Sequence, residues 1–148
     1  MITQLSERGT TALFSPHVTL LGQMTSDVDW IKSKMMAFFK DATSFYLSFS
    51  HTGMFDTYFR SIVLHTHPNP DLEKMQASAK IHFQVETRDA FMPHLSLLYS
   101  NFQISQKKIL MHGIALESPL SVRIEAAVLV DTNGAPNQWQ EILRIPFN

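Results

Sequence analysis

Pro16-His17-Val18-Thr19-Leu20-Leu21 and Pro93-His94-Leu95-Ser96-Leu97-Leu98 are nearly one hexapeptide written twice. Four of the six positions are identical, Thr19 answers to Ser96, and Val18 answers to Leu95. Polar and apolar residues alternate in each copy, as in a half-buried strand whose successive side chains point to opposite faces. His17 and Thr19 then share one face, as do His94 and Ser96, while Val18 and Leu95 turn into a core. Packing explains the repeated leucines, but it does not ask for histidine. A histidine followed two places later by a hydroxyl, twice in the same frame, reads as one site assembled from two strands.

Working outward, each copy heads a similar series of elements. After the strand around His17–Gly22, residues Val28, Ile31, Met35, Phe38 and Phe39 recur at helical spacing, predicting a helix over Asp27–Lys40 capped by Ser26 or Asp27. Phe45–Ser50 and Thr57–Leu64 read as strands joined by a turn at Gly53. Asn69-Pro70-Asp71 opens a helix over Leu72–Phe83, because proline suits a first helical turn. The second motif predicts a strand over His94–Ser100, followed by a helix over Ser105–His112. Ser121–Val130 and Gln138–Ile145 complete an antiparallel pair. The repeat is unequal at its front: structure precedes His94, whereas residues 1–13 are polar and mixed, a disordered lead-in or a truncated element.

Composition narrows the function. The 148 residues suit one domain over 1–148 with a real core, and the apolar share of 45% is that of a folded protein. A formal net charge of −1 supplies no broad field for duplex nucleic acid but leaves room for a small charged ligand. The absence of cysteine excludes disulfides, thiolate zinc sites and a cysteine nucleophile. No apolar run approaches a membrane span and no signal peptide opens the chain, so a cytoplasmic protein without membrane partners is expected. Among the other histidines, His65-Thr66-His67 invites a metal reading, but no neighbouring carboxylate or cysteine completes a set. A surface role is expected for that pair, with no metal and no cofactor.

PHVTLLG at Pro16–Gly22 and PHLSLLYS at Pro93–Ser100 resemble the paired His-x-Thr/Ser motifs of the two-histidine phosphoesterase superfamily. Within it, the chain is most similar to the cyclic nucleotide phosphodiesterases of the plant and yeast type. YFRSIVL followed by Pro-Asn-Pro-Asp-Leu at Tyr58–Leu72 resembles the family's middle segment, and WQEILRIPF at Trp139–Phe147 its closing strand. The resemblance covers roughly residues 14–148. It implies an α+β, bilobal fold with two antiparallel sheets flanking a central cleft, helices outside, and one motif from each sheet. Family members carry a strand and helix before the first motif, which this chain shortens or lacks. The resemblance also implies metal-independent hydrolysis of a nucleoside 2′,3′-cyclic phosphate or of ADP-ribose 1″,2″-cyclic phosphate, with a 2′-phosphate as product.

The residues suit that chemistry. Opening a cyclic phosphodiester needs a base to activate water and an acid to protonate the departing sugar oxygen, and histidine serves either purpose near neutral pH. His17 and His94 are the expected catalytic pair, with the roles of acid and base unassigned. Thr19 and Ser96 are expected to donate hydrogen bonds to phosphoryl oxygens. Tyr99, Tyr58 and Phe59 are candidate substrate contacts, although strand alternation turns Tyr99 away from His94, and core packing accounts better for Tyr58 and Phe59. Two rival readings keep the cleft: a phosphodiesterase of RNA ends or 2′,5′-linked oligonucleotides, and a non-catalytic nucleotide-binding remnant. The short front also makes a homodimer covering an exposed sheet edge an alternative to a monomer.

Overall fold

In the computed structural model, the described residues are 1–87, 89–115 and 120–148. The elements run α1 (Ile2–Gly9), α2 (Val28–Phe38), β1 (Phe45–Met54), β2 (Ile62–Thr66), α3 (Pro70–His82), β3 (His94–Leu98), α4 (Ile104–Met111), β4 (Leu120–Ile124), β5 (Ala126–Asp131) and β6 (Gln140–Pro146). Two antiparallel sheets form, one with strand order β3-β2-β1-β4 and one pairing β5 with β6. The expected α+β architecture with two antiparallel sheets is present. Leu47, Phe49, Ile62, Leu64 and Leu97 cover one face of the larger sheet and pack with Leu5 and Leu72 from the helices. A second cluster joins Ile31 and Met35 of α2 and Ala79 of α3 to Leu129, Leu143 and Ile145 of the smaller sheet.

Local chemistry sets the helix starts. The Asp27 carboxylate accepts from the backbone N–H groups of Asp29 and Trp30, both at 3.0 Å, satisfying donors that a helix leaves open. The Asn69 side chain does the same for Leu72 at 2.9 Å, with Pro70 in the first turn.

Several expectations are corrected. Residues 1–13 include the helix α1, whose Leu5 is fully buried against β3; only Ile2 and Leu5 mark its apolar side, too few to declare eight residues a helix. The apparent strand Ser121–Val130 is two strands that part at Glu125: β4 pairs with β1, while β5 pairs with β6. Leu120 and Ile124 of β4 face the first core and Ala127 and Leu129 of β5 the second, so the inward phase reverses at Glu125 within a stretch that stays apolar on both sides. β1 runs through Gly53 to Met54, and the reversal lies at residues 55–61, where Tyr58–Arg60 make one 3-10 turn. The second strand is accordingly Ile62–Thr66.

Candidate active site

The second motif lies on β3, at the edge of the larger sheet. The first motif was expected to be a strand of the other sheet. It instead runs alongside β3 and makes a single antiparallel bridge, Val18 to Leu95. Pro16 has no N–H to extend a ladder, and Gln23, at a positive φ of 54°, turns the chain away. The bridge fixes a reciprocal register: His17 lies opposite Ser96, and Thr19 lies opposite His94. Alternation along the two extended segments directs these four side chains to the face opposite Val18 and Leu95. Ordinary antiparallel spacing puts such opposed pairs about 5 Å apart and the His17–His94 diagonal at about 7–8 Å, a gap that one phosphate can span.

The two histidines are held alike. The ring Nδ1 of His17 lies 2.7 Å from the Ser15 carbonyl oxygen, and that of His94 lies 2.8 Å from the Met92 carbonyl. In each case the carbonyl precedes a proline, which holds its residue extended and aims the oxygen back at the imidazole. A carbonyl can only accept, so Nδ1 carries a hydrogen and Nε2 is left for chemistry. The duplicated Pro-His dipeptide was the available signal for these carbonyls, which sequence reasoning overlooked.

His17 is exposed, whereas His94 is half-buried. Burial lowers the His94 pKa below its ordinary value; the Met92 carbonyl partly offsets this, and the charges of Arg60, His65 and His17 add to the lowering. Thr19 is exposed. Ser96 is buried, and its hydroxyl donates to the Phe59 carbonyl at 3.2 Å. Of the two hydroxyls, that of Thr19 is therefore the freer to meet a ligand.

Tyr99 departs from simple alternation. Ile62 pairs with Leu98, but Val63 pairs with Ser96, so Leu97 is an extra residue in β3. Such a bulge shifts every later side chain by one position. Tyr99 consequently returns to the His94 face, only 3% exposed, with its hydroxyl 3.4 Å from His17 Nε2. Burial raises its pKa, a rise lessened by the Ser96 hydroxyl and reinforced by Tyr58. Its ring stacks on Phe14 at 3.9 Å between centroids, and Phe59 and Trp139 close around it at 5.4 and 5.8 Å. Tyr58 is half-buried behind Phe59, which is 55% exposed.

Trp139 was read only as part of a closing strand. Its ring centre stands 6.4 Å from that of His17, and its indole N–H is buried without a hydrogen-bond partner. The loop carrying Tyr58 and Phe59 is clamped from beneath: the buried Lys107 donates to the Phe55 carbonyl at 2.6 Å, and Ser61 meets Ser100 at 2.6 Å. The ring of His65 stacks on that of His51, 4.7 Å away, a contact that His65-Thr66-His67 does not announce in the sequence. Among the described residues, no three His, Asp or Glu side chains converge as metal ligands, and no helix is long and apolar enough to cross a membrane.

Comparison with known proteins places this geometry. The fold is similar to that of E. coli LigT, solved in complex with 3′-AMP, with a TM-score of 0.63 and 11% identity over 99% of this chain and 90% of that one. It is similar to a second structure described as a phosphoesterase, with a TM-score of 0.64 and 14% identity over the same shares. No curated protein sequence matches the chain significantly. The sequence model of the 2′-5′ RNA ligase superfamily matches residues 5–136, a span that takes in both motifs, the aromatic loop and the latter part of α1. The chain belongs to the 2′-5′ RNA ligase superfamily of two-histidine phosphoesterases.

Proposed function

We propose that this phosphoesterase hydrolyses small cyclic phosphodiesters, nucleoside 2′,3′-cyclic phosphates or ADP-ribose 1″,2″-cyclic phosphate, to a 2′-phosphate. The observation that carries the reading is the reciprocal register across the Val18–Leu95 bridge, which sets each motif's histidine against the other motif's hydroxyl. His94, whose surroundings favour the neutral imidazole, takes a proton from water through Nε2 as the water oxygen bonds to phosphorus. The ester bond to the second sugar oxygen breaks, and His17, as imidazolium, gives that oxygen its proton. The product is one ring-opened monoester with one water consumed; His94 ends as imidazolium and His17 as neutral imidazole, and proton exchange with solvent resets the pair. The Thr19 hydroxyl donates to a non-bridging oxygen, and Ser96 joins it once its proton leaves the Phe59 carbonyl.

The resemblance to the plant and yeast type of cyclic nucleotide phosphodiesterase is supported by Tyr99 beside His17. Phe59 offers an exposed ring on which a nucleobase can stack, an interaction worth about 1–3 kcal/mol. That LigT is solved with 3′-AMP favours a mononucleotide-sized ligand here too. The test is turnover of nucleoside 2′,3′-cyclic monophosphates with EDTA present. Activity that survives the chelator and disappears in His17→Ala and in His94→Ala is the expected result. A folded protein without turnover, or a fully active alanine variant, refutes the proposal.

A further inference from the structure

The face of the larger sheet that carries His94 continues beyond the catalytic pair. His94 on β3 is the register partner of His65 on β2, so their side chains project from the same face. His51, on β1, follows: its ring stacks on that of His65 with centroids 4.7 Å apart and planes 24° from parallel. Strands lie about 4.8 Å apart, so His65 and His51 extend a row of imidazoles roughly 5 and 10 Å beyond His94. The opposite face of these strands is filled by Leu47, Phe49 and Leu64, whereas His51 is exposed and His65 half-exposed.

This pair is built, not incidental. β1 holds an extra residue between Phe49 and Thr52, and that bulge brings His51 to the His65 side. The Ser50 hydroxyl donates its one proton to the His65 carbonyl at 3.2 Å, so it accepts from His51 Nδ1 at 2.8 Å and leaves Nε2 outward. Gly53 has no left-handed φ to explain it, and glycine weakens a strand interior. A Cβ there would lie 2.5 Å from His65 Nε2 and 2.9 Å from the Phe55 ring that meets His65 edge-on, so the glycine makes room for both rings. Two stacked imidazoles repel each other when both are charged, and an anion bound across them removes the repulsion. Arg60, whose charge is felt at His94, adds positive potential nearby.

We infer that His51 and His65 form a subsite for a second phosphate of the substrate, on the His94 side of the reacting one. This deepens the proposed function and rests on it. The second phosphate is either one borne by the same nucleotide or the next diester of a short chain. Three substrates separate the sources: a nucleoside 2′,3′-cyclic phosphate, its 5′-phosphorylated form, and a dinucleotide ending in the cyclic phosphate. A subsite of charge-assisted bonds predicts about a tenfold higher kcat/KM for one of the latter two. In His51→Gln and in Gly53→Ala, which displaces the His65 ring without removing it, that ratio is expected to collapse towards one. Equal kcat/KM for all three substrates overturns the inference, as does a preference that survives both variants. If none is turned over, the catalytic reading fails by itself and binding decides the subsite. Nucleoside 2′,5′-bisphosphate should then bind about tenfold tighter than the 2′-monophosphate and shift the His51 and His65 ring resonances. Equal binding and unmoved resonances refute the subsite.

Discussion

Tyr99→Phe isolates the one hydroxyl that the β3 bulge delivers to the proposed catalytic pair. The ring makes most of the contacts: it stacks on Phe14 and is enclosed by Phe59 and Trp139. Phenylalanine keeps all of these and loses only the group 3.4 Å from His17 Nε2. That distance is long for a hydrogen bond, so its worth against a charged imidazole is taken at the low end, about 1.5 kcal/mol. Since about 1.4 kcal/mol is tenfold in rate, kcat/KM for a 2′,3′-cyclic nucleotide should fall about tenfold. His17 is exposed and recovers water as a partner, so stability should move by less than about 1 kcal/mol, roughly 2–4 °C in Tm. Tyr99→Ala removes the ring as well and should cost about 3–5 kcal/mol.

The assay is a cycle of initial rates over wild type, Tyr99→Phe, His17→Ala and the double variant, with thermal unfolding of each. The hydroxyl effect should vanish in the His17→Ala background, where residual turnover must first be measurable with a reactive aryl ester. Two outcomes refute the reasoning. One is a Tyr99→Phe enzyme within twofold of wild type, roughly 0.4 kcal/mol by the same conversion. The other is an equal loss in both backgrounds, which would show that the hydroxyl acts apart from His17.

Three further predictions concern pH and the first helix. His94 and His65 both have lowered pKa values, so the unfolded chain binds protons before the folded one as pH falls below the ordinary histidine value of 6.5. Stability should be unaffected by these groups above that pH and decline beneath it. Urea midpoints between pH 8 and pH 5 check this, and a smaller decline is expected in His94→Gln; midpoints that rise on acidification contradict it. The acidic limb of the activity profile should likewise lie below 6.5 if His94 is the base. Leu5→Ala removes a fully buried side chain from α1 and should cost about 2–5 kcal/mol, or roughly 5–15 °C in Tm. A shift under about 2 °C would mean that α1 contributes little to the core.

The sequence alone determined the motif strand β3, the starts of α2 and α3 to within a residue or two, and the two motif histidines proposed as the catalytic pair. Alternation, Asp27 at a helix start and Asn69-Pro70 are local signals, legible because neighbouring residues along the chain decide them. The Pro-His repeat was legible too, though its meaning, two carbonyls fixing two imidazoles, emerges only with the backbone folded back on the rings. The tertiary structure decided what depends on pairing between distant strands. The extra residue Leu97 turns Tyr99 to the His94 face, and the β1 bulge sets His51 against His65. Glu125 ends one sheet and starts another within a stretch that stays apolar on both sides. A single bridge, Val18 to Leu95, puts each histidine opposite the other motif's hydroxyl. Register is a property of two segments at once, and a shift of one residue exchanges the faces of a strand. Composition along one segment cannot carry that information.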